Sequence, residues 1–338
     1  MRSIIFSMSE SEPQPDSPPE HSPTEDGEGR ERLHDLQDHV EAMRSERFAY
    51  LVRFAEGKEE KRSFSYVQDA LKTVYFLDFH LEEPDPLFAR MKRLRTLPMA
   101  EEAKENFVRI FVLEILKYPP SLFRDMGGLR SVFAERLYRK AADGKKKESN
   151  LYGTYTRPGT GDETGGKIYV ARDKDHKKGV PTPEVLKVEQ ELRDTIHHEL
   201  LHAFFVMDED FEGLQILSDY WKEHLYKSKK AFLLRLAKKL KILPKRRETG
   251  FFDDYSLTNQ EEQVAVVMAR MMSDAKGAYT LAKQDAFEHK NGDLFTQLNV
   301  IEGAFGVLSE GLMDDTYFRL LEHGALPVDY WFRRPDAW

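Results

Sequence analysis

The sequence predicts an α+β fold that is mainly α-helical, and three features of the chain support this prediction. Over 31–142, apolar residues recur at three- and four-residue spacing, which is the period of one helix face. Two short β-prone segments, 151–156 and 167–171, flank a glycine-rich turn and are typical of a β-hairpin. A long amphipathic helix is predicted from about 183, and the rest of the chain again has the helical period.

The chain is predicted to contain a leader and two domains. Its 338 residues, of which 40% are hydrophobic, are enough to bury a sizeable core. Residues 8–30 are rich in Pro, Ser and Glu and nearly free of large apolar side chains, so we expect 1–30 to be a disordered leader. A helical N-terminal domain is expected over 31–145, and the polar stretch 141–150 marks its end. The second domain, 146–338, contains the hairpin and everything after it.

Composition excludes several classes of function. The formal net charge of −8 at pH 7 argues against general binding to nucleic acid, which needs a surface rich in Lys and Arg. The absence of cysteine excludes disulfides, thiol catalysis and Cys-ligated zinc, so any metal ligand has to be His, Asp or Glu.

No apolar run is long enough for a membrane span or a signal-peptide core. We expect a cytoplasmic monomer; the alternative is secretion by a route without a cleaved signal peptide.

One segment of the long helix carries residues typical of a metal site. The pentapeptide HELLH at 198–202 matches the pattern HExxH, in which His198 and His202 lie on one helix face and reach a single ion. Glu199 stands beside that face, where it can accept a proton from an attacking water rather than bind the ion. His197 projects about 100° away and has no assigned role. The alternative is a histidine pair that is solvated or satisfied in the core.

A catalytic zinc ion usually has three protein ligands, so a third has to come from elsewhere in the chain. The best candidate is Glu262, near the start of a very apolar predicted helix. Thr258 and Glu261 fit a capping box, which leaves the next glutamate without an assigned partner. Ala265 and Ala269 lie along the face of Glu262, so its carboxylate projects from a closely packed side where a charge needs a partner. The alternative is that Glu262 only favours the helix N-terminus through the macrodipole.

Other residues have less specific contexts. Asp253 and Asp254 could orient a ligating imidazole as hydrogen-bond acceptors, or could simply form a turn or cap. Further acidic residues and histidines compete as third ligands: Asp208, Glu209, Asp210, His224, His289 and His323. The glycine-rich segment 158–166 lacks the Lys-Ser/Thr ending of a phosphate loop, so nucleotide binding is not expected.

HELLH, followed sixty residues later by a glutamate on a second helix, resembles the gluzincin zinc metallopeptidases. The stretch from Tyr255 through Thr258 and Asn259 to Glu262 and Ala265 is similar to the segment Y-x-x-T-N-x-x-E-x-x-A of the anthrax lethal factor and Pro-Pro endopeptidase families. The resemblance implies a zincin-like catalytic domain that binds Zn²⁺. It also implies that the glutamate is the third zinc ligand and that the tyrosine stabilises the oxyanion.

These features together predict a zinc-dependent endopeptidase that acts on a protein or peptide substrate. His198, His202 and Glu262 would bind Zn²⁺, Glu199 would be the general base, and Tyr255 would assist the oxyanion. The hairpin could supply an edge strand that holds an extended peptide by main-chain hydrogen bonds.

A basic amphipathic helix is predicted as an insert at 227–247, which has ten basic residues and no acidic one. It could bind an acidic partner or an anionic membrane surface, or it could pack on the body of the protein with a solvated lysine face. The alternative function is therefore a non-catalytic interaction protein that keeps the zincin scaffold and works through this helix.

Overall fold

A computed structural model describes residues 25–59, 63–81, 94–97, 99, 101–125, 129–134, 136–139, 149–151, 153–156, 166–171, 185–207, 260–288, 290 and 292–338. The chain divides into two compact units, Met1–Met43 and Arg44–Trp338. The described residues of the first unit are helical. The second unit contains all of the described strands and every described helix that begins after Arg44.

Most of the described residues are helical, and the strands are short. The helices are α1 (Glu25–Ala55), α2 (Phe64–Tyr75), α3 (Glu101–Ile115), α4 (Pro120–Asp125), α5 (Val185–Met207), α6 (Gln260–Ser273), α7 (Ala275–Glu288), α8 (Asp293–Leu308) and α9 (Asp315–Glu322). The strands are β1 (Leu77–Leu81), β2 (Leu94–Leu97), β3 (Leu129–Ala134), β4 (Arg136–Arg139), β5 (Ser149–Leu151), β6 (Gly153–Thr156) and β7 (Lys167–Ala171).

Four strands form a mixed sheet in the order β1-β3-β7-β6. β1, β3 and β7 run parallel, whereas β6 pairs antiparallel with β7, from Gly153 opposite Val170 to Thr156 opposite Lys167. The last pairing is the hairpin that the sequence predicts, and β6 is an edge strand among the described residues. β2, β4 and β5 form a second, antiparallel sheet. The α+β, mainly helical fold class is thereby confirmed.

The range 31–145, predicted as a helical domain, also contains strands, because β1 to β4 lie in it. β1 has the sequence LDFHL, and its alternation of apolar and polar residues is a strand signal that is easily lost among neighbouring helical patterns. β3 pairs with β1 on one side and with β7 on the other, so the sheet joins strands from both sides of the predicted boundary at 145/146. Of the predicted leader, 25–30 form the first turns of α1, and 1–24 lie outside the described residues.

Helices α5 and α6 lie side by side in the core. On α6, the consecutive residues Val264 and Ala265, and then Val267 and Met268, are at most 1% exposed. A helix that is buried all round has neighbours on every side, and α5, α7 and α8 pack against α6. α5 packs in turn against α3, β6 and β7. Both helices are therefore held by the core rather than by their own propensity.

Within the described residues, none of the helices combines the length and the apolarity that crossing a membrane requires.

Glu302 on α8 gives stability a pH dependence. Burial, and then the charges of Asp315 and Glu322, raise the pKa of Glu302 to about 7 from its ordinary value of 4.5. Because the folded chain then holds a proton that the unfolded chain releases, stability should fall as the pH rises between these two values. Glu302→Gln should remove this fall and raise the free energy of unfolding at pH 8 by about 1 kcal/mol, after allowance for solvent screening. Urea unfolding at a series of pH values measures the effect.

The exposed Glu310 provides the matched control for this measurement. Glu310→Gln should leave the pH profile of the wild-type protein in place. A Glu302→Gln profile that still falls between these pH values would contradict the role of Glu302.

Candidate metal centre

Helix α5 carries the HELLH segment and presents different residues to three neighbours. His198 and His202, one turn apart, face Glu262 on α6. Thr195 and Glu199 face β6. Two further residues one turn apart, Arg193 and His197, face α3. Residues four apart share one face of a helix, so each of these pairs addresses a single neighbour.

Three ligand atoms converge where α5 meets the start of α6. Nε2 of His198 and Nε2 of His202 are 3.2 Å apart, and Oε2 of Glu262 lies 3.0 Å from the first and 3.5 Å from the second. A tetrahedral zinc ion with bonds of about 2.0–2.1 Å holds its ligand atoms about 3.3 Å apart. The three edges of this triangle bracket that distance, so the residues fit a zinc ion held by three protein atoms. Among the described residues, this is the one group of three or more acidic or histidine side chains with such spacing.

The electrostatics of Glu262 suit a ligand. Burial acts to raise the pKa of its carboxyl group, but hydrogen bonds with His198 and His202 outweigh burial and hold that pKa well below its usual range. The carboxyl group is therefore ionised at neutral pH, as a metal ligand has to be. The side chains of His198, His202 and Glu262 are 15%, 16% and 18% exposed. The centre can thus be reached from outside the protein.

Glu199 directly follows His198 on α5 and is tightly enclosed. Its residue is 5% exposed, and it packs under the first residue of β6, Gly153. A Cβ atom at position 153 would lie 2.6 Å from Oε1 of Glu199 and 2.8 Å from Cγ2 of Thr195. Only glycine leaves space for this close approach, so the edge strand passes directly over the carboxylate of Glu199.

A second set of polar contacts fixes the antiparallel alignment of α5 and α6. Asp194 accepts hydrogen bonds from Gln190 at 3.0 Å and from Ser273, and its Oδ2 lies 2.7 Å from Nη1 of Arg270. These contacts lie toward the C-terminal end of α6, whereas Glu262 lies near its beginning. Polar contacts therefore hold the two helices together at both ends of their contact. This limits how far the two histidines and Glu262 can move apart.

A buried polar cluster lies on the opposite side of α5. His197, which has no assigned role in the sequence prediction, is 0% exposed. Its Nε2 lies 2.7 Å from Oε2 of Glu114, and its Nδ1 lies 2.7 Å from the hydroxyl of Tyr118. Burial would raise the pKa of Glu114, but Lys117, His197 and Arg193 together hold it well below its usual range. Glu114 is consequently an ionised carboxylate in the protein core.

Several predicted site residues lie outside the described residues. These are Tyr255, Asp253 and Asp254, the capping residue Thr258, the basic insert 227–247, and the competing ligands Asp208, Glu209, Asp210, His224 and His289. The remaining competitor, His323, is exposed at the end of α9, where its Nδ1 is hydrogen-bonded to the carbonyl of Arg319. It therefore belongs to a helix end and not to the group at Glu262.

No family model, curated protein or solved structure matches the chain.

Sequence reasoning missed two residues around this site, although each leaves a signal. Gly153 interrupts a β-prone segment, and a glycine inside a strand often marks a close backbone approach. Glu114 is the one acidic residue in the apolar stretch 107–116. A charge within such a run needs a buried partner, and the partner is His197.

Proposed function

We propose that this protein is a zinc-dependent endopeptidase. The observation that supports this function best is the triangle formed by His198, His202 and Glu262, whose edges suit zinc. Glu199 directly follows the first of these ligands on α5. Three protein ligands leave one position for water or substrate, which is the composition of a catalytic rather than a structural zinc site.

The zinc ion, when bound, supplies Lewis acidity that polarises the scissile carbonyl and activates the attacking water. Glu199 takes a proton from that water as the new C–O bond forms. It then returns the proton to the amine nitrogen as the C–N bond breaks, so that a carboxylic acid and an amine leave. Its burial under Gly153 keeps the carboxylate in one orientation for both transfers.

The peptide would be held by β6, the edge strand of the described sheet. Edge strands bind extended peptides through main-chain hydrogen bonds, and the close approach of Gly153 to Glu199 would bring such a peptide over the base. Tyr255 would donate a hydrogen bond to the developing oxyanion, a role that rests on the resemblance to the lethal factor and Pro-Pro endopeptidase families.

The decisive experiment combines metal analysis with a hydrolysis assay on the full chain. Gently purified protein should contain about one zinc ion per chain and should cleave members of a mixed peptide library, with the products identified by mass spectrometry. A chelator should abolish cleavage and added zinc should restore it. A chain that binds almost no zinc would overturn the proposal.

Gly153→Ala should impair hydrolysis without removing zinc. The added methyl group would lie 2.6 Å from Oε1 of Glu199, so either the base or the edge strand has to move. A misplacement of this kind should lower kcat/KM by about 10- to 100-fold. The measurement is kcat/KM on one cleaved peptide together with the zinc content of the same sample.

Gly303→Ala on α8 is the matched control, since its added Cβ meets nothing within 4 Å. It should keep full activity and become slightly more stable, because alanine is the better helix former. Equal activity of the two variants would show that the approach of β6 to Glu199 does not matter for catalysis.

A further inference from the structure

The buried cluster around Glu114 joins α3 to the helices that carry the metal ligands. Both oxygens of Glu114 are used: Arg193 of α5 pairs with Oε1, and His197 of α5 and Lys117 with Oε2. Lys117 also donates to the carbonyl of Met272 on α6 at 2.5 Å. The carboxylate of Glu114 thus links α3 to α5 directly and to α6 through Lys117.

The proton positions in this cluster follow from its chemistry. An ionised carboxylate only accepts hydrogen bonds, so the Nε2 of His197 has to carry the proton that it donates to Glu114. On the other side of the ring, Nδ1 lies 2.7 Å from the hydroxyl of Tyr118. Burial raises the pKa of Tyr118, so its hydroxyl keeps its proton and donates it to Nδ1. Each polar atom of the His197 ring therefore has one defined partner.

Stability alone is a weak reason for such a cluster. Burying a carboxylate and its donors has a large desolvation cost, and apolar residues of similar volume are often equally stabilising. The cluster instead restricts the orientation of the helices that it joins, because a hydrogen-bonded pair tolerates less rotation than an apolar contact does. His197 and Arg193 are one turn apart, so they fix the rotation of α5 about its own axis.

The rotation of α5 decides where its histidine ligands point. His198 follows His197 directly, and both belong to one rigid helix. An imidazole nitrogen lies about 6 Å from the helix axis, so a rotation of about 10° moves it by about 1 Å. That shift exceeds the tolerance of about 0.5 Å that a metal site allows.

We propose that His197 and Glu114 are positioning residues of the metal centre, which set the rotation of α5 so that His198 and His202 meet Glu262. The inference rests on the proposed zinc site. It assigns no contact with zinc or substrate to either residue. Its consequence is that zinc affinity depends on a cluster on the far side of the helix.

The test compares His197→Leu with His197→Gln in the full chain. Leucine fills the space but donates nothing to Glu114, whereas the glutamine amide can still donate at the position of Nε2. His197→Leu should raise the Kd for zinc, measured by competition with a chromophoric chelator, by about 10- to 100-fold. His197→Gln should restore an affinity close to that of the wild type. Cobalt-substituted His197→Leu should also lose the visible absorption of a tetrahedral site.

Leu71→Ala is the control for stability alone. Leu71 is 0% exposed on α2, so its truncation destabilises the core, yet α2 contributes none of the residues of the cluster. This variant should unfold at lower urea concentration and bind zinc as the wild type does. If His197→Leu does not fold, Tyr118→Phe replaces it: the ring stays, the hydroxyl that holds Nδ1 is lost, and the Kd for zinc should rise by a smaller factor.

The outcomes separate the two proposals. A wild-type chain without zinc affinity would overturn the proposed function and this inference with it. Wild-type zinc affinity that is unchanged in folded His197→Leu, or in Tyr118→Phe where the leucine variant does not fold, would overturn this inference alone. A loss in the leucine variant that glutamine rescues and Leu71→Ala does not reproduce would support it.

Discussion

Replacing Glu199 by glutamine is expected to lower kcat for peptide hydrolysis by about 10²- to 10⁴-fold. Glutamine has nearly the same shape, so the packing under Gly153 should persist, but its amide cannot take a proton from water. Because Glu199 is not one of the three converging ligands, the zinc content should stay at the wild-type level. Steady-state kinetics on one peptide and metal analysis of the same samples measure the two quantities separately.

The control for this variant is Glu189→Gln, which makes the same change on the same helix. Glu189 accepts a long hydrogen bond of 3.4 Å from Asn106 and takes no part in the converging group. It should hydrolyse peptide at the wild-type rate. If Glu199→Gln retained more than about a tenth of the wild-type rate, Glu199 could not be the general base.

A comparison of the wild type with Glu199→Gln also distinguishes the endopeptidase from a non-catalytic interaction protein. The second function would work through the basic insert 227–247 and would give no turnover in the wild type. Binding to an acidic partner would then be equal in wild type and Glu199→Gln. A wild type that cleaves peptide and a variant that does not would decide for the enzyme.

The parts of the fold that sequence predicts are those whose signal is local. The hairpin of β6 and β7 has its turn between its strands, and α5 has a long run of helical spacing that contains HELLH. β1 and β3 were missed because strands of five and six residues hold too few periods to stand out from helical neighbours. β3 pairs in parallel with β1 and with β7, and these pairings join distant parts of the chain that no local pattern records.

The candidate site likewise combines features that are local in sequence with features that depend on long-range packing. The spacing of His198 and His202 is a property of one helix, so the sequence alone supplies it. Glu262 required a chemical argument, namely that a zinc ion needs a third ligand, before the fold brought it within 3.0 Å of His198. The contact between His197 and Glu114 spans 83 residues of sequence and depends on how α3 packs against α5. The role of Tyr255 stays a prediction, since it lies outside the described residues.

Replacing Glu262 by alanine should weaken zinc binding more than any substitution outside the three ligands. Loss of an outer hydrogen-bond partner of a zinc ligand costs about 10- to 100-fold in affinity, and loss of a ligand itself should exceed that range. The Kd for zinc is measured by competition with a chelator of known affinity. Hydrolysis at a fixed low zinc concentration should be lost in parallel and should partly recover when zinc is raised.

Glu261→Ala is the matched control, because it removes the neighbouring glutamate from the same turn of α6. The sequence assigns Glu261 to a capping box, so its loss should lower the free energy of unfolding by about 1 kcal/mol and leave zinc affinity unchanged. The comparison separates two explanations of an acidic helix start. If Glu262 served only the macrodipole, both alanine variants would lose stability to a similar degree and neither would lose zinc. If Glu262 is the third ligand, zinc takes the place of its hydrogen bonds with His198 and His202. Only Glu262→Ala would then lower zinc affinity.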